Sequence, residues 1–208
     1  MINRTLIGAL LSLQLFVFLA IAVLNFPLGI GQETQILWAF HHHSTPFLDH
    51  WAVLITRLGI YGGTVPLTLG ILAILSYYQQ WRSLMFVALT AVGTMGLSYA
   101  TKYAFARPRP ELWERITTAT SPAFPSGHAL ASMMLAIVLI TLLWDTRWRW
   151  LTLVGSILFV LLIAWTRLYL GVHYPSDILG GWLLAIAWCL GVNSLYHRDF
   201  FLGKKPNS

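Results

Sequence analysis

Six runs of mostly apolar residues, each near the length of a bilayer-crossing helix, constrain this chain more than any other feature. A helix needs about 20 such residues to cross the hydrocarbon layer. The runs cover residues 5–26, 61–78, 83–106, 128–144, 150–170 and 177–196, so an all-α polytopic membrane protein is expected. Composition agrees: 10% of residues are charged, against about 25% in soluble domains. Ten Trp and eight Tyr suit interfacial aromatic belts. The 208 residues fit one membrane domain with no second large one.

Several readings fall away at this level. The net charge of +6 comes from basic residues scattered between apolar runs, not from a basic face, so no nucleic-acid partner is expected. Cys189 is the lone cysteine and cannot form an intrachain disulfide. The first run has Arg4 before it and Ala20-Ile21-Ala22 near its end, a weak likeness to a cleaved signal. It continues past that site, so a retained helix is expected. Residues 27–60 read as a polar connection on the extracytoplasmic side, with a short interfacial helix from Trp51 to Gly59 and Arg57 snorkelling outward. His41-His42-His43, followed by Asp49 and His50, invites a metal reading. Consecutive histidines cannot all face one ion in a regular element, so no metal is expected there.

Six spans place both termini on one side. That side holds Arg4, Arg82, Arg147, Arg149, Arg198, Lys204 and Lys205, and the other holds Arg57, Lys102, Arg107, Arg109, Arg115 and Arg167. Three of the second group, Lys102, Arg109 and Arg167, fall in polar stretches with a chemical purpose of their own. Setting them aside, the positive-inside rule puts the termini in the cytoplasm and the polar stretches outside.

Those stretches are Lys102 to Pro110, Pro125-Ser126-Gly127-His128, and Arg167 through His173 to Asp177. Helix parity puts all three on the same membrane face. Ionisable groups at the edge of hydrocarbon are costly and point to function. Together they offer two histidines, a carboxylate, three cations and a glycine at a helix start. Phosphoryl transfer uses such a set, because charge on the transferring group is met by cations and backbone N–H groups. His173 suits a nucleophile, since Asp177 four residues on could fix its tautomer. His128 suits the acid that protonates the leaving oxygen. Ser126 and Gly127 could present a hydroxyl and N–H groups to an anion. No cluster of carboxylates suited to Mg²⁺ is visible, and no cofactor is implied. Each residue alone has a plainer reading: Lys102 as a snorkelling anchor, His128 as an interfacial residue, Asp177 as a helix cap.

The three stretches resemble the signature of the type 2 phosphatidic acid phosphatase (PAP2) superfamily. Here they read Lys102-x6-Arg109-Pro110, Pro125-Ser126-Gly127-His128 and Thr166-Arg167-x5-His173-x3-Asp177, with Thr166 where the family usually has Ser. The resemblance implies a metal-independent phosphatase with a helical core and a phosphohistidine intermediate. It implies His173 as nucleophile, Asp177 as its orienting acid, and His128 as leaving-group acid. Lys102, Arg109, Arg167, Ser126 and Gly127 would bind phosphate. The implied substrate is a lipid phosphate or diphosphate of the bilayer: phosphatidylglycerophosphate, phosphatidic acid or undecaprenyl diphosphate. The implied location is the cytoplasmic membrane, with the site facing outward. Arg107 and Arg115 match no catalytic position; they would widen the positive field for a diphosphate or headgroup, or meet lipid phosphates. The alternatives are an undecaprenyl diphosphate phosphatase specifically, a vanadium haloperoxidase relative, which the apolar spans disfavour, or a small anion transporter. A transporter would carry charges buried in mid-span.

Overall fold

The computed structural model describes residues 4–117 and 120–202, the last seven of them as backbone only. All regular structure among these residues is helical. The order is α1 (Arg4–Asn25), α2 (Glu33–His42), α3 (Pro46–Leu58), α4 (Thr64–Tyr77), α5 (Trp81–Phe105), α6 (Gly127–Leu143), α7 (Arg149–Tyr169) and α8 (Pro175–Leu202). Arg198, Lys204 and Lys205, used above in the charge count, lie outside the described residues or side chains.

Four helices are long and apolar enough to cross a membrane: α1, α5, α7 and the Pro175–Leu195 part of α8. They turn large apolar side chains outward, among them Leu10 and Phe18 on α1, Val92 and Met95 on α5, and Leu151 and Leu158 on α7. A water-facing surface would not tolerate that much contiguous apolar area, so the chain is a multi-pass membrane protein.

The expected second and fourth spans are present as shorter apolar helices, α4 and α6. With 14 residues, α4 is about 21 Å long at 1.5 Å per residue, short of the roughly 30 Å hydrocarbon thickness. Its start is delayed from the expected Tyr61 because the glycine turn before it closes on α3: Gly62 N–H donates to the Arg57 carbonyl at 2.8 Å. At its other end Gln79 adopts a left-handed conformation, φ 54°, and turns the chain into α5.

The connection 27–60 departs furthest from expectation. It holds two helices rather than a polar loop with one short helix. Thr45 caps α3, its Oγ1 accepting from Leu48 N–H at 3.2 Å, and Pro46 follows at the first helical position. Helix α3 buries Ala52 and Thr56 and leaves Phe47, Trp51, Leu54 and Leu58 exposed on the opposite face.

The core sets one loop in place. Helix α1 packs along α8, and α6 packs along both α7 and α8. Phe124, just before Pro125-Ser126, is fully buried. Its ring stacks on Phe16 of α1 at 5.7 Å and meets Phe105 of α5 edge-on at 5.2 Å. Helix α8 reaches this loop through two glycines. A Cβ on Gly180 would sit 2.4 Å from the Phe124 ring, and one on Gly181 would sit 2.7 Å from the Ser126 carbonyl oxygen.

The second contact is with backbone and cannot be relieved by a rotamer change. Gly181→Ala is therefore expected to push α8 off the loop at a cost of about 1–3 kcal/mol. A thermal melt in detergent, followed by tryptophan fluorescence, should show a lower midpoint than the parent. An unchanged midpoint would mean the two elements separate freely.

Candidate active site

Ends of four helices converge on one side of the bundle: the C-termini of α5 and α7 and the N-termini of α6 and α8. Helix α5 stops at Ala106, which takes a left-handed conformation (φ 44°) ahead of Arg107-Pro108. That turn sends the Arg-Pro-Arg-Pro segment across the top of the site. Helix α7 ends in a turn closed by Gly171 (φ 63°), where a Cβ would run into the Trp113 ring at 2.4 Å. His173 follows, and α8 opens two residues later.

His173 is buried, with both ring nitrogens engaged. Its Nδ1 is 3.3 Å from Asp177 Oδ2, and its Nε2 is 3.2 Å from an Arg109 terminal nitrogen. These partners decide the tautomer. An ionised carboxylate only accepts and a guanidinium only donates, so the proton resides on Nδ1 and Nε2 keeps its lone pair. Burial, then the charges of Arg109, Arg167 and Lys102 and the nearby His128, hold the His173 imidazole well below its ordinary range. It is therefore neutral at physiological pH.

The other expected residues surround this ring. Arg109 donates through Nε to the Ser121 carbonyl at 2.8 Å and through a terminal nitrogen to the Val172 carbonyl at 2.7 Å. Burial and Arg115 push it down to about 10, partly opposed by Asp177, which leaves it charged at neutral pH. Arg167 is buried and donates to Thr56 Oγ1 of α3 at 2.7 Å, while its Nε has no protein partner among the described residues. Lys102 donates to the Pro122 carbonyl. Ser126 is buried with its Oγ unpartnered among the described residues, and its N–H is held by the Asp177 carbonyl at 2.9 Å. Gly127 lies beside Lys102, whose Cε is 3.8 Å from where a Gly127 Cβ would be. His128 packs against Gly59, where a Cβ would meet its ring at 2.8 Å. All eight expected residues thus meet in one place, with positive groups aimed at a common region and a neutral imidazole among them. An anion with several oxygens suits that arrangement.

Other sequence features settle elsewhere. Thr166 donates to the Ile163 carbonyl of its own helix at 2.7 Å and does not face the site. Asp49 accepts from Tyr169 OH at 2.7 Å, tying α3 to α7. His41 stacks on Trp113 with centroids 4.1 Å apart, and no His, Cys, Asp and Glu cluster among the described residues could hold a metal. Arg115 pairs with Glu111 at 3.4 Å.

Arg107 overturns both expectations for it. It is neither a field-widening cation nor a lipid contact, being 1% exposed and paired with Asp177 Oδ1 at 2.6 Å and Glu33 Oε2 at 3.3 Å. Neither Arg107 nor Glu33 was expected in the site. Glu33 did carry a signal: it is one of only seven acidic residues, in a segment between apolar runs, where an ionisable group is costly.

A family profile described as the PAP2 superfamily matches residues 68–201. An undecaprenyl-diphosphatase of Sulfolobus acidocaldarius is 27% identical over 181 residues, covering 84% of each chain. A lipid A 4'-phosphatase of Bacteroides thetaiotaomicron is 31% identical, covering 73% of this chain and 74% of its own. The fold matches the crystal structure of a transmembrane PAP2-type phosphatidylglycerolphosphate phosphatase from Bacillus subtilis. That match has a TM-score of 0.78 and 22% identity, over 92% of this chain and 96% of the other.

Proposed function

The chain belongs to the PAP2 superfamily of phosphatases, and on that premise we propose that it hydrolyses a lipid phosphate or diphosphate through a phosphohistidine on His173, without a metal. The observation that carries this reading is the pair of contacts on the His173 ring, which leave Nε2 unprotonated beside Arg109.

The phosphoryl group enters among Lys102, Arg109 and Arg167, and Arg109 moves a donor from Nε2 to a phosphoryl oxygen. Ser126 Oγ and Arg167 Nε, unpartnered among the described residues, gain oxygens to bond. The negative charge of the bound phosphate offsets the cations around His128 and lets its ring take up a proton; Nε2 then attacks phosphorus, the P–O bond to the lipid breaks, and His128 gives that proton to the departing oxygen. Asp177 balances the positive charge that forms on the imidazole. His128 then takes a proton from water, the water oxygen attacks phosphorus, the P–N bond breaks, and phosphate leaves.

In this reading α4 and α6 complete six crossings, with the bilayer thinned or the helices supplemented by flanking turns at α4. The termini face the cytoplasm and the site faces outward in the cytoplasmic membrane. Helix α3 lies at the bilayer surface with Phe47, Trp51, Leu54 and Leu58 toward lipid. The whole chain acts as one domain, with the lipid tail remaining in the bilayer. Candidate substrates are phosphatidylglycerophosphate, phosphatidic acid and undecaprenyl diphosphate. The name and coverage of the Sulfolobus relative favour the last. A transporter reading is disfavoured because Lys102, Arg167 and Asp177 sit at helix ends rather than in mid-span.

Phosphate release by detergent-solubilised protein, measured over these lipids with and without EDTA, tests the reading. The cations around His173 repel a divalent ion, so turnover should be unchanged by EDTA. Activity that returns only on adding Mg²⁺ would contradict the mechanism.

A further inference from the structure

Behind the His173 imidazole, on its Nδ1 side, charged groups from three distant parts of the chain are buried together. Arg107, from the α5–α6 connection, uses every guanidinium nitrogen. Nε donates to the Pro27 carbonyl at 2.9 Å. One terminal nitrogen donates to Asp177 Oδ1 at 2.6 Å and Ser176 Oγ at 2.7 Å. The other reaches Glu33 Oε2 at 3.3 Å. The Tyr174 ring lies 4.3 Å from its central carbon. Glu33, at the start of α2, accepts from Ser176 N–H and Ser176 Oγ at the start of α8, and from Ile30 N–H at 2.7 Å. The second oxygen of Asp177 accepts from Tyr174 N–H at 2.9 Å and faces His173.

We propose that Glu33 and Arg107 are positioning residues for the phosphatase reaction: Glu33 holds Arg107, and Arg107 holds Asp177 with one oxygen turned to His173. The inference rests on the proposed reading of His173 as nucleophile. A direct phosphate-binding role for Arg107 does not fit, because all its nitrogens are engaged and its side chain is sealed from the site. The pairing also has an electrostatic logic. Arg107 alone would draw the Asp177 charge away from the imidazolium that forms during attack, and Glu33 offsets that pull. Asp177 thus faces Arg107, Glu33 and His173, while His173 faces Asp177, Arg109, Arg167, Lys102 and His128.

The test uses the full chain in detergent, with Glu33→Gln, Arg107→Lys and Arg107→Ala assayed on one lipid phosphate across pH. Glu33→Gln keeps an acceptor for Ser176 N–H while it removes the charge and turns the position that receives Arg107, Ser176 Oγ and Ile30 N–H into a donor; Arg107→Lys keeps charge and loses the fork. Each should lower kcat by about 10–100-fold, the range for residues behind a reacting group, with KM within about threefold. The acid limb of the kcat/KM profile should move in opposite directions. Losing the Glu33 negative charge makes His173 harder to protonate and shifts the limb to lower pH. Losing the Arg107 positive charge in Arg107→Ala shifts it to higher pH, and Arg107→Lys should restore the parental position. Arg107→Ala strands two buried carboxylates and can fail to fold, in which case the first two variants decide.

Parental kcat in Glu33→Gln and Arg107→Lys, with a Glu33→Gln pH profile that superimposes on the parent's, beside inactive His173→Ala and Asp177→Ala, would overturn the positioning role and leave the phosphatase mechanism standing. A raised KM with unchanged kcat in Arg107→Lys would overturn it in favour of substrate binding. Turnover surviving His173→Ala would overturn both.

Discussion

His173→Ala is expected to cut phosphate release by at least about 10⁴-fold, the scale seen when a covalent nucleophile is removed. The loss should appear in kcat on every lipid phosphate, because in the proposed mechanism the missing Nε2 is the atom that bonds phosphorus in the first step, whatever the lipid. It should not appear as unfolding. Asp177 keeps Arg107 and Tyr174 N–H as partners when the imidazole is gone, so no buried charge is stranded. Chromatographic behaviour in detergent should match the parent. KM should fall or stay level, since Arg109 is released from Nε2 and becomes free to bond phosphate. A variant that retains a tenth of parental turnover would show that water attacks phosphorus directly.

The second large effect belongs to His128. His128→Ala is expected to slow hydrolysis of alkyl phosphates by about 10²–10⁴-fold, the usual contribution of a positioned acid or base. The size should depend on the leaving group. An aryl phosphate departs without protonation, so its first step should be nearly unaffected. The second step, in which His128 activates water, should stay slow for every substrate. The variant would therefore show a burst of aryl alcohol followed by slow turnover. Equal losses on alkyl and aryl substrates, with no burst, would remove His128 from the acid role. The ring packs against Gly59, which has no Cβ to clash with it, and truncation to Ala introduces no new contact, so a chromatographic profile matching the parent should accompany the lost turnover.

Much of this is legible in the sequence alone. Apolar runs of the right length locate six of the eight helices among the described residues to within a few residues, because hydrocarbon solvent imposes a length and leaves helices to fill it. The three polar stretches were recognisable since each interrupts such a run, and helix parity brought them to one face. Helix α2 was hidden because its C-terminal half carries His41 and His42, which read as loop, although Ile36, Leu37 and Phe40 repeat at helical spacing. The expected start of α4 falls too early because Gly62 and Gly63 look like ordinary small residues of a membrane helix. In the structure they form a turn locked onto Arg57 and Leu58. The Glu33–Arg107 pair was illegible for a different reason. It joins positions 74 residues apart in sequence, and local pattern carries no information about which buried charge meets which.

The same contrast explains how Arg107 and Arg109 divide their work. They are two residues apart in an Arg-Pro-Arg-Pro segment and are indistinguishable by composition. The proline after each favours extended backbone, in which residues two apart would share a face. Yet Arg107 turns inward to Asp177 and Glu33, and Arg109 turns to His173. The left-handed turn at Ala106 sets the entry direction of that segment. In the proposed mechanism one arginine orients the acid behind His173, and the other holds the free ring nitrogen that attacks.

The central claim is that phosphorus becomes bonded to His173. It is tested most directly by mixing His128→Ala protein with a ³²P-labelled aryl phosphate and quenching in alkaline denaturant, where a phosphoramidate survives. The account predicts one label per active site, lost on acidification and mapped to the peptide that contains His173. An unlabelled protein that has nevertheless released a full burst of aryl alcohol, or a label on any other residue, would contradict it.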